Sequence, residues 1–188
     1  KGQGAWCGYF REQRYEADGS RTAPVVSIVC NFTRPTESTP SLLTLDEVTT
    51  LFHEFGHALH FLFTNVRYNG LIGVEGDFVE LPSQIMENWA TEKEYLASFA
   101  KHYQTGEVIP QELVDKMTKA GKYGQGFATV EYLAASYLDM DFHVLKEIPA
   151  DLDVEKFEAK VLGDRGILSQ IPSRYRSTYF SHTFSGGY

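Results

Sequence analysis

A helix built around the motif His-Glu-Phe-Gly-His at residues 53–57 constrains this chain more than any other feature. Thr44 and Glu47 match a capping box, in which the hydroxyl and the carboxylate each pair with an otherwise unbonded backbone N–H of the first turn. Beyond them, apolar residues repeat at steps of three and four, as in one buried stripe on a helix. The sequence therefore predicts a helix that begins after Thr44. Its stripe consists of Leu45, Val48, Phe52, Phe55, Leu59 and Leu62.

The two histidines of the motif are spaced to bind one metal ion. His53 and His57 lie one helical turn apart, so both imidazoles can reach a cation at about 2.0–2.1 Å. Glu54 projects next to them, where a carboxylate can take a proton from a water whose pKa the metal lowers towards about 7. His60 lies about 10.5 Å along the axis from His53, so we expect it to have a structural or supporting role. The pattern indicates metal-assisted hydrolysis, and the alternative is an ordinary solvated or core-lining helix face.

A catalytic zinc site usually has three protein ligands and one open position, so the two histidines require a third partner. Downstream of the motif, glycines at positions 70, 73 and 76 indicate a loop, and a helical pattern begins near Pro82 and continues to Phe99. Four carboxylates in this region are candidates, and their spacing alone does not choose among them: Glu75, Asp77, Glu80 and Glu87.

The rest of the chain predicts a mainly α fold of the α+β kind, with a small antiparallel β-sheet near the N-terminus. Residues 5–11 and 24–33 are rich in the aromatic and β-branched residues typical of strands. Helical patterns cover residues 111–120, 127–145 and 154–162, with Asp153 as the N-cap of the last. We expect residues 1–33 to form the sheet and residues 44–188 to form a helical metal-site region. The sheet is either a structural hairpin or an edge that docks an extended substrate backbone.

Composition excludes several classes of partner. The net charge of −8 argues against a nucleic-acid partner, and no apolar run approaches the length of a membrane-spanning helix.

The two cysteines, Cys7 and Cys30, lie outside any Cys-x-x-Cys metal motif. We expect two free thiols, with a disulfide between the two strands as the alternative.

The motif and a second segment together resemble a known family. The segment from Asp77 to Trp89 is Asp-Phe-Val-Glu-Leu-Pro-Ser-Gln-Ile-Met-Glu-Asn-Trp, and its place after the motif is similar to that in the thimet oligopeptidase family of zinc metallopeptidases. The resemblance implies a zincin-like catalytic core in which Glu80 joins His53 and His57 as the third zinc ligand. Glu87 then becomes either a partner for the second ring nitrogen of a ligand histidine or an ordinary surface or network glutamate.

The C-terminal segment carries a further part of the resemblance. His182 is followed by Thr-Phe-Ser-Gly-Gly and then Tyr188. In the family, a histidine, a glycine-rich loop and a tyrosine line the cleft and hydrogen-bond the scissile carbonyl and the tetrahedral oxyanion, and His182 and Tyr188 match those positions. Without the resemblance, the same residues are only an aromatic, glycine-containing tail whose side chains pack.

Two features place the chain within the family. The run from Leu133 to His143 fits the family as a whole, and within it the Leu-Asp-Met sequence at residues 138–140, together with the six-residue step from His182 to Tyr188, resembles the bacterial dipeptidyl carboxypeptidase branch. Two departures accompany them, because the loop from His57 to Glu80 is shorter than the family pattern and the family continues beyond this chain into a tyrosine-rich segment. We therefore expect residues 1–188 to be a single catalytic-core fragment of a larger peptidase, with the remainder of that protein as its partner.

The resemblance implies one activity and several alternatives. The expected activity is zinc-dependent hydrolysis of oligopeptides with release of C-terminal dipeptides, using one Zn²⁺ per chain, in the cytoplasm or the periplasm. One alternative is an endo-acting oligopeptidase of the same family. Others are a zinc-binding fragment that is catalytically incomplete and a non-catalytic peptide-binding fold that keeps the motif as a relic, which would bind no metal.

Overall fold

A computed structural model describes residues 4–185 of the chain. The chain divides into two compact units, residues 1–118 and residues 119–188. The first unit contains the sheet, the motif helix and the segment that follows it. That the chain acts as one catalytic core stays a prediction.

The motif helix begins where the sequence predicts. Helix α1 spans Leu45–Leu62. The Thr44 hydroxyl accepts a hydrogen bond from the Glu47 backbone N–H at 3.2 Å, and the Glu47 carboxylate accepts one from the Thr44 N–H at 2.9 Å. The same carboxylate accepts a hydrogen bond from the Thr33 hydroxyl at 2.8 Å. The capping box is confirmed, and it also ties the end of the sheet region to the start of the helix.

Removal of the Thr44 hydroxyl is expected to destabilise the fold. Thr44→Ala leaves the Glu47 N–H without its partner, which should lower the free energy of unfolding by about 1 kcal/mol in a denaturant titration. Thr50→Ala is the matched control, because the Thr50 hydroxyl lies inside the same helix and only donates back to the Asp46 carbonyl at 2.8 Å. Equal stability of the two variants would contradict the cap.

Four strands precede α1 and pair as one long, irregular hairpin. The outer pair is β1 (Trp6–Arg11) with β4 (Val25–Val29), antiparallel, and the inner pair is β2 (Arg14–Tyr15) with β3 (Arg21–Thr22). The register of the outer pair shifts between Tyr9 and Arg11, where one extra residue bulges from β1. Both predicted strands are present, although the second ends at Val29 rather than at residue 33.

The side chain of Gln13 links this hairpin to the segment that follows α1. Its side chain is almost fully buried and makes two bonds to one residue, donating to the Val66 carbonyl at 3.1 Å and accepting from the Val66 N–H at 2.8 Å. An amide that satisfies both backbone groups of a residue fifty-three positions away holds the sheet beside the helix.

The predicted second helix is wrong as a single element. The structure has α2 (Leu81–Glu87), then a 3₁₀ helix (Asn88–Ala90), then α3 (Lys93–Phe99). Glu92 has an extended backbone with ψ of 123°, which interrupts any continuous helix. The break lets α3 turn its aromatic residues onto α1, where Phe52 lies 5.7 Å from Tyr95 between ring centroids. The apolar periodicity between Pro82 and Phe99 does not indicate that the chain changes direction at Glu92.

Three further helices follow the prediction closely: α4 spans Gln111–Ala120, α5 spans Gln125–His143, and α6 spans Val154–Asp164. A short helix, α7 (His182–Ser185), lies in a segment for which the sequence predicts no helix. Asp153 caps α6 as expected, accepting from the Lys156 N–H at 3.1 Å. Helix α5 begins and ends two residues earlier than predicted, because it starts directly after Gly124 in the left-handed conformation with φ of 73°.

Within the second unit, a buried carboxylate orders the chain after α6. Glu158 is buried and accepts from the Ser177 N–H at 2.7 Å and from the Arg176 guanidinium at 3.2 Å. Burial raises the pKa of Glu158, but these hydrogen bonds and the arginine charge outweigh it, so the pKa lies below its usual value. α5 and α6 pack through Phe142 and Phe157, whose ring centroids are 4.6 Å apart.

The mainly helical class with a small N-terminal antiparallel sheet is confirmed. Cys7 and Cys30 are both free thiols, as expected. Among residues 4–185, no helix combines the length and the apolar character needed to cross a bilayer.

Candidate metal centre

The site depends on an unusually close approach of α1 and α2 at Gly56. A Cβ atom built on Gly56 would lie 2.4 Å from the Pro82 carbonyl oxygen and 2.6 Å from the Ser83 Cα. Only a residue without a side chain allows the two backbones to come this near. This contact brings the N-terminal end of α2, where Glu80 is the N-cap residue, against the motif face of α1.

Three side chains meet at that point. Oε2 of Glu80 lies 3.2 Å from Nε2 of His53 and 3.2 Å from Nε2 of His57. The two imidazole rings are 5.0 Å apart between centroids and nearly perpendicular, at 84°. Among the residues that the structure describes, these three form the one group of metal-ligating atoms that lie within 4.8 Å of one another. Of the four candidate carboxylates, Glu80 is the one that the structure brings within 3.2 Å of both motif histidines.

The donor set fits zinc. Two imidazole nitrogens and one carboxylate oxygen are the ligand set of several catalytic zinc sites, which keep a fourth position for water. Ligands at about 2.0–2.1 Å in a tetrahedral arrangement lie about 3.3 Å from one another. The two distances of 3.2 Å from Glu80 to the histidines match that separation. His53, His57 and Glu80 would hold the ion.

Glu87 contacts the ligand histidine rather than standing on an unrelated surface. Its Oε1 lies 2.7 Å from Nδ1 of His53. A carboxylate at that distance holds the proton on Nδ1, which leaves the lone pair of Nε2 directed at the metal position. The structure thus places Glu87 at the second ring nitrogen of His53, the position that the first of the two predicted roles requires.

The environment of His57 favours the neutral imidazole that binds a metal. Burial lowers the pKa of His57, and the nearby His53 and His60 lower it further, whereas Glu80 opposes them. The net shift is downward. Near neutral pH, His57 therefore needs no proton removed before it can act as a ligand.

Glu54 lies beside the ligands in a buried, polar-poor position. Glu54 is buried, with 6% of its surface exposed, and its Oε2 atom has no hydrogen-bond partner among the described residues. Burial raises the pKa of Glu54, while His53 lowers it and Glu80 raises it. A carboxylate with a raised pKa and a free oxygen is suited to accept and return a proton.

An open cleft of about 390 Å³ borders this carboxylate. Its walls come from the residues just before β1, the chain after β4 and the exposed side of α1, and they include Ala5, Asn31, Thr50, His53 and Glu54. In β1, burial and the Glu54 charge together raise the pKa of the Cys7 thiol to about 11. The sheet therefore borders the metal position, which is compatible with either role proposed for it.

The two remaining residues of the predicted site, His182 and Tyr188, lie near the C-terminus of the chain. His182 begins α7 in the second unit, with its ring 6.3 Å from that of Phe180. Tyr188 lies outside the described residues, 4–185. The roles assigned to both by resemblance stay predictions.

Ser83 is a further residue of the site that no sequence pattern indicates. Its hydroxyl donates a hydrogen bond to the Glu80 carboxylate at 2.7 Å.

Truncation of Glu87 is expected to weaken metal binding. Glu87→Ala frees the His53 ring to rotate and to change tautomer, so the zinc Kd should rise about 10–100-fold in a competition titration with a chromophoric chelator. Glu94→Ala removes a glutamate from the first turn of α3 and serves as the control, with an unchanged Kd. Wild-type affinity in Glu87→Ala would show that the 2.7 Å contact does not orient the histidine.

Comparison with known proteins yields one family. The model of peptidase family M3 matches residues 1–188. The chain is similar to the dipeptidyl carboxypeptidase of Escherichia coli (strain K12), with 47% identity over 191 aligned positions that cover 100% of this chain and 28% of that protein. It is also similar to oligopeptidase A of the same organism, with 41% identity over 98% of this chain and 28% of that protein. Saccharolysin of Saccharomyces cerevisiae is 39% identical over 70% of this chain and 19% of its own length.

Proposed function

The chain belongs to peptidase family M3, and from this premise we propose that it carries the catalytic centre of a zinc-dependent peptidase that hydrolyses oligopeptides. The observation that supports this most strongly is the convergence of Glu80 on both motif histidines, at 3.2 Å each. The chain spans 28% of the length of the bacterial relatives it matches. The activity proposed is therefore that of the protein expressed at the full length its gene encodes.

Different residues of this chain have different roles in the proposed hydrolysis. When bound, zinc supplies a Lewis acid for the scissile carbonyl and lowers the pKa of a water. Glu54 takes one proton from the attacking water and returns it to the amine nitrogen as the C–N bond breaks. Glu87 keeps Nε2 of His53 available to the metal throughout. Oε2 of Glu54 has no hydrogen-bond partner among the described residues, so no other side chain there competes for the proton that Glu54 carries.

We assign His182 and Tyr188 to the substrate carbonyl, as hydrogen-bond donors to the oxygen that becomes negatively charged. The support is the resemblance of their spacing to the family pattern. A donor of this kind contributes about 2.7–4 kcal/mol to the transition state where one has been removed from another hydrolase. Loss of either donor should therefore lower kcat more than it changes KM.

We propose release of C-terminal dipeptides in preference to internal cleavage. The support is the resemblance of the Leu-Asp-Met run at residues 138–140 and of the step from His182 to Tyr188 to the dipeptidyl carboxypeptidase branch. An endo-acting oligopeptidase is the second candidate, because the 41% identity to oligopeptidase A approaches the 47% identity to the dipeptidyl carboxypeptidase. We propose the cytoplasm as the compartment, to be checked by cell fractionation.

Product analysis separates these candidates. A peptide of about ten residues is incubated with the zinc-loaded protein, once with a free C-terminus and once with an amidated one, and the products are identified by mass spectrometry. Sequential dipeptides from the free form alone support the proposal, because a dipeptidyl carboxypeptidase must anchor a free carboxylate. Internal cleavage of both peptides indicates the endopeptidase. Bound zinc without hydrolysis indicates an incomplete site, and no bound zinc contradicts the proposal altogether.

A further inference from the structure

We propose that Ser83 is a positioning residue that fixes which oxygen of Glu80 faces the metal, an inference that rests on the function proposed above. Ser83 lies in the first turn of α2, three residues after Glu80. It is fully buried, with 0% exposure. A polar side chain buried to this extent at the contact of two helices requires a partner.

The hydroxyl of Ser83 has that partner in the ligand carboxylate. Its Oγ lies 2.7 Å from Oε2 of Glu80 and 2.9 Å from the Glu80 carbonyl oxygen. A serine has one proton to donate, and an ionised carboxylate is the stronger acceptor of the two. The distance of 2.7 Å is typical of a hydroxyl that donates to a charged oxygen.

The oxygen that accepts from Ser83 is the one that faces the histidines. Oε2 of Glu80 is 3.2 Å from Nε2 of both His53 and His57, so a single atom takes part in all three contacts. A glutamate side chain has three rotatable bonds and two equivalent oxygens, and ordering it costs conformational entropy. The Ser83 bond selects one oxygen and one rotamer before a metal arrives, which reduces that cost at the binding step.

The backbone of Ser83 packs directly against the helix that carries both histidines. A Cβ atom built on Gly56 would lie 2.6 Å from the Ser83 Cα, so the backbone of α2 at this residue rests directly on α1. This contact therefore sets the position of the Ser83 hydroxyl relative to α1, the helix on which His53 and His57 lie. A positioning group works only if its own location is fixed in this way.

A purely structural role makes a different prediction. The hydroxyl also lies within hydrogen-bond distance of the Glu80 carbonyl, so its loss could act only by loosening the first turn of α2. Ser98 offers a matched case, since its hydroxyl donates to the carbonyl three residues back, Tyr95, at 2.6 Å, and its residue is exposed. Ser98→Ala removes this kind of bond without touching a ligand.

The test compares Ser83→Ala, Ser83→Cys and Ser98→Ala with the wild-type protein at full length. Three quantities are measured: the zinc Kd by chelator competition, the visible spectrum after substitution with Co²⁺, and the melting temperature without metal. Ser83→Cys keeps the volume of the side chain but is a weak donor, so it separates the lost hydrogen bond from the lost packing.

We expect the zinc Kd to rise about 10–100-fold in both Ser83 variants. The Co²⁺ absorption bands should shift in the same variants, because the ligand field changes when the carboxylate reorients. Ser83→Cys should melt close to the wild type without metal, and Ser98→Ala should match the wild type in zinc Kd and in spectrum.

Unchanged zinc Kd in Ser83→Ala and Ser83→Cys would overturn the inference while leaving the zinc site itself intact. A Kd that rises only in a variant that is already unfolded without metal would also overturn it, because the effect would then be structural. Absence of zinc from the wild-type protein would remove both this inference and the proposed function.

Discussion

Replacement of Glu54 by glutamine is expected to leave zinc bound and to lower kcat for peptide hydrolysis by about 10²–10⁴-fold. Glutamine has nearly the same shape but accepts no proton at neutral pH, so the attacking water keeps both of its protons. The three proposed ligand residues keep their side chains in this variant, with Glu80 3.2 Å from each histidine in the wild-type structure. The checks are kcat from initial rates and zinc content by elemental analysis on the same preparation.

The stability of the same variant distinguishes a lost base from a lost fold. Burial raises the pKa of Glu54 above its unfolded value, so the ionised carboxylate makes folding less favourable at pH 7 than a neutral group would. This unfavourable contribution disappears as pH falls through the raised pKa. Glu54→Gln should therefore be at least as stable as the metal-free wild type at pH 7. Glu94→Gln, on α3, is the control and should have wild-type turnover. Undiminished hydrolysis in Glu54→Gln would contradict the assignment of Glu54 as the general base.

A methyl group at position 56 is expected to disrupt the site from outside the ligand set. In Gly56→Ala the new Cβ would lie 2.4 Å from the Pro82 carbonyl oxygen and 2.9 Å from its carbon, both backbone atoms that cannot rotate away. α2 must shift, and Glu80 shifts with it. We expect a loss of about 1–3 kcal/mol in the free energy of unfolding, together with weaker zinc binding.

The matched control for this change is Gly126→Ala. Gly126 also lies in a helix, α5, but a Cβ there meets no atom within 4 Å. Alanine favours helix over glycine, so this variant should be neutral or more stable by up to about 1 kcal/mol. Denaturant titration and zinc titration of the two variants measure both effects. Stability and zinc affinity equal to the wild type in Gly56→Ala would show that α1 and α2 do not need their close contact.

The local features of the site were predictable because they depend on residues close together in sequence. The capping box of Thr44 and Glu47 and the turn that separates His53 from His57 are properties of a single helix. The family, predicted from two short segments, is confirmed by a match over residues 1–188. The choice of Glu80 required the resemblance, because residue spacing does not encode how α2 packs on α1.

Several features that the sequence did not predict arise from tertiary contacts. The break between α2 and α3 brings Tyr95 onto Phe52, and no local pattern marks it. The bonds of Gln13 to Val66 join residues fifty-three positions apart. Ser83 was overlooked because a serine in the first turn of a helix is common, and only its burial against Glu80 sets it apart.

Elemental analysis of the purified protein beside Glu80→Ala shows whether His53, His57 and Glu80 form one zinc site. Glu80 makes no side-chain capping bond to α2, so the substitution acts on the ligand set rather than on a helix cap. We expect one equivalent of zinc in the wild type and a markedly reduced content in Glu80→Ala after dialysis against a weak chelator. Wild-type zinc content in the variant, or no zinc in the wild type after reconstitution, would contradict it.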